Sequence, residues 1–309
     1  MKEINRLSFK YRAKVDFRKN WPLYALIIIP LIYVFVFKYI PIAGNIIAFR
    51  RYIAGGNLFG ESWEGLYFFK MFWKDKGFWQ AFRNTFITGS LTLVFTYPAP
   101  IILALLLNEI RSTKFKKTVQ TISYIPYFLS VVVLVGIIHE VTAANGVVNQ
   151  IIQFFGGKQI LFLSQPAWFR PVYIISRIWQ GAGWGTILYL AALAGIDPTL
   201  YEAARVDGAN RWKQMLHITL PGIRPTMVTL LILNVGSVMA VGFEQIFLMY
   251  HPLTYSTSDV IATYVYRIGL FGAQFSLASA IGLFESILGI FFVTTANMVS
   301  KKVSGSSLW

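Results

Sequence analysis

Apolar residues in this chain are grouped into six long runs, which are residues 24–42, 85–107, 121–141, 172–196, 225–250 and 275–299. A helix needs about 20 mostly apolar residues to cross the hydrocarbon core of a bilayer, and each run is of that order. In lipid, a helix satisfies its backbone hydrogen bonds within one segment. The pattern therefore predicts an all-α membrane protein with six transmembrane helices.

Charged residues indicate the orientation of these helices. They make up only 13% of the 309 residues, about half the share found in soluble domains. If the N-terminus is inside, the inner segments hold 17 of the 28 lysines and arginines, and the outer segments hold nine. Lysine and arginine are enriched in cytoplasmic loops, so both termini are predicted to be cytoplasmic. The net charge of +15 then reflects topology, and no nucleic acid partner is expected.

The runs and loops divide the chain into three parts. Residues 1–20 form a basic cytoplasmic arm, which either lies on the anionic inner leaflet or is a solvated tail. Residues 21–300 form the transmembrane domain, and residues 301–309 form a cytoplasmic tail. The first outer loop, residues 43–84, is rich in Trp and Phe, and short interfacial helices are expected there.

Motifs for covalent chemistry are absent from the sequence. There is no cysteine, and the three histidines have no metal-ligand spacing. His139-Glu140 begins like a zinc-protease HExxH motif, but Ala143 stands where the second histidine must be. No P-loop motif is present. The chain is predicted not to be an enzyme and to hold no cofactor or metal, so its expected task is to move a solute or to hold a component that does.

The inner loop of residues 197–223 is long and polar for a connection between two membrane helices. Signals for helix starts and helix ends alternate along it, in the order Asp197-Pro198, Asp207-Gly208, Asn210 and Pro221-Gly222. Gly208 is free to adopt a positive φ. The loop thus predicts a helical hairpin on the cytoplasmic side. Spacing alone leaves two alternatives, which are insertion into a groove of another protein and packing on its own bundle.

The hairpin carries the pattern E-A-A-x-x-D-G-A-x8-I-x-L-P, at Glu202, Ala203, Ala204, Asp207, Gly208, Ala209, Ile218, Leu220 and Pro221. This pattern resembles the EAA coupling loop of permease subunits in binding-protein-dependent ABC importers. The first outer loop is similar to that of sugar permeases. The segment FEQIFLMYHPLTYSTSDVIATYVYRIGL resembles the branch that handles polysaccharide-derived oligosaccharides, in which two different permeases pair.

The resemblance implies a MetI-like permease fold in a bacterial plasma membrane. The implied partners are a second, homologous permease in a heterodimer, two ATPase subunits that hold ATP and Mg, an extracellular solute-binding protein, an oligosaccharide and membrane lipid. The hairpin is then expected to dock in a cleft of the ATPase. In that arrangement Glu202 reaches a basic partner group, Gly208 forms the bend and the second helix anchors the hairpin to the bundle.

Polar residues in the fourth and fifth runs are the expected substrate contacts. Four of them form one helical stripe and three lie in the next run, in the order Arg177, Gln180, Gly181, Trp184, Asn234, Glu244 and Gln245. In the sugar permeases, the sugar contacts come from the helix before the EAA loop. Arg177 indicates an acidic sugar such as a uronide. Alternatively, it extends to the outer interface, pairs with the partner permease or is balanced by Glu244.

Other cargoes and mechanisms remain open from the sequence. The same machinery would suit a non-sugar solute, such as a lipid-like molecule, a phosphonate or a peptide. A different class is a secondary transporter driven by an ion gradient, in which Glu244 or Glu285 carries the proton. A third is a membrane scaffold without cargo.

Overall fold

The computed structural model describes residues 9–304, and these are mostly helical. The predicted arm 1–20 and tail 301–309 lie partly outside the described residues. In chain order the α-helices are α1 (Phe9–Val34), α2 (Ile40–Gly44), α3 (Tyr67–Trp73), α4 (Lys76–Thr96), α5 (Pro98–Glu109), α6 (Thr113–Tyr124), α7 (Val131–Thr142), α8 (Val147–Phe154), α9 (Pro166–Ala194), α10 (Pro198–Val206), α11 (Arg211–Gln214), α12 (Leu220–Gly236), α13 (Phe243–Met249), α14 (Tyr255–Ser258), α15 (Ile261–Tyr266) and α16 (Phe275–Ser304).

Shorter elements connect these helices. Two strands of two residues each, β1 (Arg50–Arg51) and β2 (Ser62–Trp63), pair antiparallel. Three helical segments are π-helical, at Phe35–Tyr39, Met215–Thr219 and Arg267–Phe271. Short 3-10 turns lie at Asn45–Ala48, Ile125–Phe128, Phe162–Ser164 and Pro252–Thr254.

Five helical stretches among the described residues are long and apolar enough to cross a membrane, namely Val15–Ala48, Lys76–Glu109, Val131–Phe154, Arg211–Gly236 and Phe275–Lys302. The third of these is made of α7 and α8, with a turn between them. The predicted run 172–196 lies in α9, a helix of 29 residues. Helix α9 is less apolar than the five stretches because Arg177, Gln180 and several glycines interrupt it.

The fifth predicted run, residues 225–250, is not one continuous helix. Helix α12 ends at Gly236 and α13 begins only at Phe243. At the break, the backbone carbonyl of Val238 lies directly against Gly89 of α4, where any Cβ would collide with it. The missing side chain lets the non-helical segment pack on α4, and this contact between distant parts of the chain is not visible in the run itself.

The third predicted run, residues 121–141, is also interrupted. Pro126 has no backbone N–H and cannot continue the hydrogen-bond ladder of α6, so a 3-10 turn follows. Helix α7 then starts anew, with the Ser130 hydroxyl accepting a hydrogen bond from the Val133 amide at 3.3 Å. The prediction of one continuous helix over this run was wrong because it considered only apolar composition and not the local effect of Pro126.

The predicted helix end at Pro221-Gly222 is wrong. Helix α11 continues through the π-helical segment Met215–Thr219 into α12, whose first turn contains Pro221. A π segment adds a residue to the turn and changes which amides need partners. It therefore accommodates a proline that would break a regular helix. The second arm of the hairpin is thus one end of a membrane-length helix.

Helix α9 lies at the centre of the bundle. It contacts α4, α5, α6, α12 and α14. Its first half contributes Phe169, Tyr173 and Ile174 to one buried cluster, and its second half contributes Tyr189 and Leu193 to another. The middle of α9 is left to line a cleft, on a helix that is held firmly at both ends.

The segment that precedes α3 is folded onto the bundle. The Ser276 hydroxyl at the start of α16 donates to the Arg50 carbonyl at 2.7 Å and accepts from the Tyr52 amide at 2.9 Å. Helix α4 begins at Lys76 and is capped by Asp75, so the last part of the predicted loop 43–84 is already helical.

Candidate functional site

A cleft of about 250 Å³ opens beside the middle of α9. Three residues of the predicted stripe, Arg177, Gln180 and Gly181, line it, and so does Asn234 of α12. A Cβ at Gly181 would meet no atom within 4 Å, so packing does not require glycine there. The absence of a side chain leaves open space in the cleft instead.

The cleft is also lined by polar residues that were not predicted as substrate contacts, namely Thr96, Tyr97, Tyr127 and Tyr189. The Tyr97 hydroxyl donates a hydrogen bond to the Met227 carbonyl at 2.8 Å. Tyrosine rings with fixed hydroxyls are suited to contact sugar rings and sugar hydroxyls. The available signal was the position of Tyr97 and Tyr127 next to prolines in apolar runs, whereas nothing in the sequence marked Tyr189.

Trp184 is not among the residues that line the cleft. Its ring is stacked on Tyr127, with the ring centroids 4.6 Å apart and the planes at 4°. Phe128 contacts the same indole edge to face. One face of Trp184 is therefore already covered, and Tyr127 is the member of the pair that lines the cleft.

The structure does not bring Glu244 and Gln245 into the cleft. Gln245 is buried and donates through Nε2 to the Ser176 hydroxyl at 2.6 Å, while its Oε1 has no hydrogen-bond partner among the described residues. Glu244 is exposed at the start of α13. Among residues 9–304, no ion pair joins Glu244 to Arg177.

The predicted hairpin is formed by α10 and α11 with the turn between them. The Asp197 carboxylate accepts from the Thr199 amide at 2.9 Å, and this hydrogen bond holds the pKa of the Asp197 carboxyl below its usual value. At the other end of α10, Gly208 has φ +76°. The Gly208 amide donates to the Arg205 carbonyl at 3.1 Å and closes the turn.

Side-chain contacts join the two arms of the hairpin. The Asn210 side chain caps α11 by accepting from the Lys213 amide at 2.9 Å. The Tyr201 hydroxyl of α10 lies 3.0 Å from the Thr219 hydroxyl on the second arm. The Gln214 amide group donates to the Ala209 carbonyl at 2.8 Å. These contacts make the hairpin one stiff unit.

The hairpin is also attached to the membrane bundle. Arg211 forms an ion pair with Glu109 at the end of α5, at 3.3 Å. Trp212 and Met215 line an apolar pocket together with Leu105 and other residues of α5. A displacement of the hairpin is therefore transmitted to α5 and, through the continuous second arm, to α12.

The residues of the EAA pattern divide into two groups. Four residues of α10 and the turn are exposed, four residues are half-buried, and Pro221 on the second arm is exposed. The exposed tip residues are Glu202, Ala203, Asp207 and Gly208, and the half-buried residues are Ala204, Ala209, Ile218 and Leu220. Val206, also at the tip, is 88% exposed. The tip thus leaves one apolar side chain, small residues and the carboxylates of Glu202 and Asp207 uncovered by the rest of the described chain.

The structure is a helical bundle with membrane-length helices, a polar cleft at its centre and a stiff hairpin between two of its helices. This combination defines a transport permease. Residues 96–305 match the family described as binding-protein-dependent transport system inner membrane component. The chain belongs to this family.

Two relatives from Bacillus subtilis (strain 168) match over nearly the whole chain. Protein LplB is 44% identical over 293 residues, which cover 94% of this chain and 92% of the relative. The polygalacturonan/rhamnogalacturonan transport system permease protein YteP is 43% identical over 288 residues, covering 93% and 90% respectively.

Two solved structures of an alginate transporter are similar to this chain. The fold is similar to a chain of a bacterial ABC transporter involved in the import of the acidic polysaccharide alginate, with TM-score 0.87 and 41% identity over 95% of this chain and 99% of that one. That transporter has also been solved with a periplasmic protein bound to an alginate pentasaccharide. The chain is therefore an integral membrane permease of an ABC transporter, a class that works with separate ATPase subunits. This confirms the family inferred from the EAA pattern.

Proposed function

We propose that this permease imports acidic oligosaccharides derived from polysaccharides. The observation that carries the proposal is the position of Arg177 in the central cleft, with Gln180 and Asn234 beside it. A guanidinium group recognises a carboxylate with paired, charge-assisted hydrogen bonds, and the amides suit hydroxyls. The relatives support the same chemistry, because one is named for polygalacturonan transport and the alginate importer moves an acidic polysaccharide.

The proposed topology has six membrane helices with both termini in the cytoplasm. Helix α9 supplies the sixth span, in addition to the five more apolar stretches. This arrangement agrees with the excess of lysine and arginine in the inner segments. It places the hairpin in the cytoplasm and the β1–β2 segment outside.

The hairpin couples the permease to two ATPase subunits, which hold ATP and Mg. Its exposed tip enters a cleft of an ATPase, and Glu202 contacts a basic group there. When the ATPases close on ATP, the hairpin moves with them, and the paired permeases change from inward-open to outward-open. The capped ends and cross-links of the hairpin support this role, because only a stiff element transmits displacement. All catalysis takes place on the partner subunits.

A second, homologous permease completes the translocation pathway. The most apolar part of Val15–Ala48 buries nothing against the rest of the described chain. A lone membrane helix gains packing only from lipid or from another protein. We assign part of this helix to the partner permease and the remainder to lipid. An extracellular binding protein delivers the oligosaccharide to the outer face.

Transport by reconstituted vesicles tests this proposal. The complex of both permeases and both ATPases is placed in vesicles with ATP inside, and the loaded binding protein is added outside. Uptake of an acidic oligosaccharide is expected to require internal ATP and to survive an uncoupler. Uptake that ignores ATP but stops with the uncoupler would contradict the mechanism.

Glu202 provides the corresponding test of the hairpin. Glu202→Lys is expected to leave the permease pair in the membrane while the ATPases no longer copurify. The matched control is Glu140→Lys, which reverses an exposed carboxylate at the end of α7, far along the chain from the hairpin. Normal ATPase retention by Glu202→Lys would contradict the docking assignment.

A further inference from the structure

A second cleft, of about 520 Å³, lies between α4, α9 and α14. Arg83 and Asn84 of α4 and Arg170 of α9 line it, together with Trp79. In the proposed topology it opens at the outer face, because α9 begins there. None of these residues belongs to the central cleft or to the hairpin.

The two arginines in this cleft have no anionic partner among the residues that the structure describes. Arg170 is half-buried, and its guanidinium group donates to the Asn84 side-chain oxygen at 2.8 Å and to the Thr88 hydroxyl at 3.3 Å. Both acceptors are neutral. Within residues 9–304, neither Arg83 nor Arg170 takes part in an ion pair. Arginine keeps its charge in proteins, so the cleft carries two uncompensated positive charges.

Neighbouring groups hold Arg170 in place without neutralising it. The Asn84 amide nitrogen donates to the Asp259 carbonyl at 3.0 Å. The Asp259 carboxylate is bound by Arg267 at 2.6 Å and is therefore not available to Arg170. A cation fixed by neutral groups in a cleft is a preorganised receptor for an anion.

The outer cleft is aligned with the central cleft. Arg170 and Arg177 are seven residues apart on α9, so they lie on one face about 10 Å apart along the helix. On α4, polar residues recur every four positions from the outer cleft to the central one, at Asn84, Thr88, Thr92 and Thr96. The Thr92 hydroxyl is buried and has no hydrogen-bond partner among the described residues.

We propose that Arg83 and Arg170 form an outer subsite that binds the carboxylate of an acidic sugar before the sugar chain reaches Arg177. Trp79, which is 38% exposed, lines the same cleft. The subsite accepts the oligosaccharide as it leaves the binding protein, and the polar seam between α4 and α9 leads inward. This inference rests on the proposed import of acidic oligosaccharides.

The alternative ligand is a carboxylate of the docked binding protein, and uptake kinetics separate the two. The complete complex in vesicles is supplied with increasing concentrations of binding protein loaded with an alginate pentasaccharide. For Arg83→Gln and Arg170→Gln, the maximal uptake rate is expected to fall about tenfold, as for loss of a hydrogen bond to a charged group. The binding-protein concentration that gives half-maximal uptake is expected to stay within about twofold of the wild-type value.

Matched variants exclude a folding defect. Arg83 is exposed, so Arg83→Gln should assemble normally even if Arg170→Gln does not. Arg83→Lys retains the charge and is expected to recover most of the uptake rate. Lys158→Gln removes an exposed charge from another predicted outer loop and is expected to change neither kinetic constant.

Two results would overturn the subsite. One is an unchanged maximal rate in Arg83→Gln and in assembled Arg170→Gln. The other is a large rise in the half-maximal binding-protein concentration, which would assign the arginines to binding-protein docking. Failure of the proposed function looks different, because the wild-type complex itself would then show no ATP-dependent uptake of the pentasaccharide.

Discussion

Gly208 gives the sharpest test of the coupling hairpin. Its φ is +76°, and a Cβ added there would meet no atom within 4 Å. A substitution therefore costs backbone strain and creates no clash. A residue with a side chain is less stable in this left-handed region by about 1–2 kcal/mol, whereas asparagine adopts it at lower cost. A loss of 1 kcal/mol lowers the population of the correct turn by a factor of about 5.

Proline at this position has a much larger effect. Its ring holds φ near −65°, so the observed turn cannot form. Proline also removes the amide that donates to the Arg205 carbonyl at 3.1 Å. We expect a local cost of about 3 kcal/mol or more, enough to disconnect α10 from the second arm of the hairpin.

The assay is the ATPase rate of the reconstituted complex, stimulated by loaded binding protein, together with the amount of ATPase subunit that copurifies. Coupling is expected to decrease in the order wild type, Gly208→Asn, Gly208→Ala and Gly208→Pro, while the permease pair stays in the membrane. Gly136→Pro, in the interior of α7, is the contrasting variant, because it should impair folding rather than coupling. Full stimulation in Gly208→Pro would refute the view that this turn transmits force.

Three further predictions follow from local geometry. A Cβ at Gly183 would collide with a backbone carbonyl of α6, so Gly183→Ala is expected to destabilise the purified complex by about 1–3 kcal/mol in thermal unfolding, whereas Gly136→Ala, which faces open space, should not. Trp184→Ala removes the stack on Tyr127, which contributes about 1 kcal/mol. It should weaken transport without loss of assembly, and unchanged substrate-stimulated ATPase across a panel of sugars would count against this. The pKa of the Asp197 carboxyl is held low in the folded hairpin, so its capping contribution is present above the ordinary carboxyl pKa of about 4 and is lost as the pH falls through the lower folded value. The protection of α10 amides, which is the intrinsic exchange rate divided by the observed rate at the same pH, should therefore fall in acid for the wild type but not for Asp197→Asn, and identical pH profiles would contradict the assignment.

Local chemistry in the sequence was sufficient for the hairpin start and turn. Asp197, Gly208 and Asn210 act through atoms two or three residues away, so their roles do not depend on the rest of the fold. The stripe of Arg177, Gln180 and Gly181 was predictable for the same reason, because a single helical period places these residues on one face. The sequence also indicated an integral membrane protein, since the length of the apolar runs reflects the thickness of the bilayer.

Contacts between distant parts of the chain decided the remainder. The fifth run breaks where Val238 packs on Gly89, and the break moves Gln245 to Ser176 and away from the cleft. Stacking on Tyr127 likewise covers Trp184.

The sequence by itself determined the apolar runs from which the membrane-length helices are built, the caps and turn of the hairpin, and the placement of Arg177, Gln180 and Gly181 on one face of α9. These features depend on chain-local hydrogen bonds and on hydrophobic length. Only the tertiary structure decided that Asn234 lines the same cleft as Arg177 and that Arg83 joins Arg170 in the outer one. The physical reason is that helices in a bilayer associate through close packing at small residues. A sequence pattern along one helix does not specify which face of another helix it will contact.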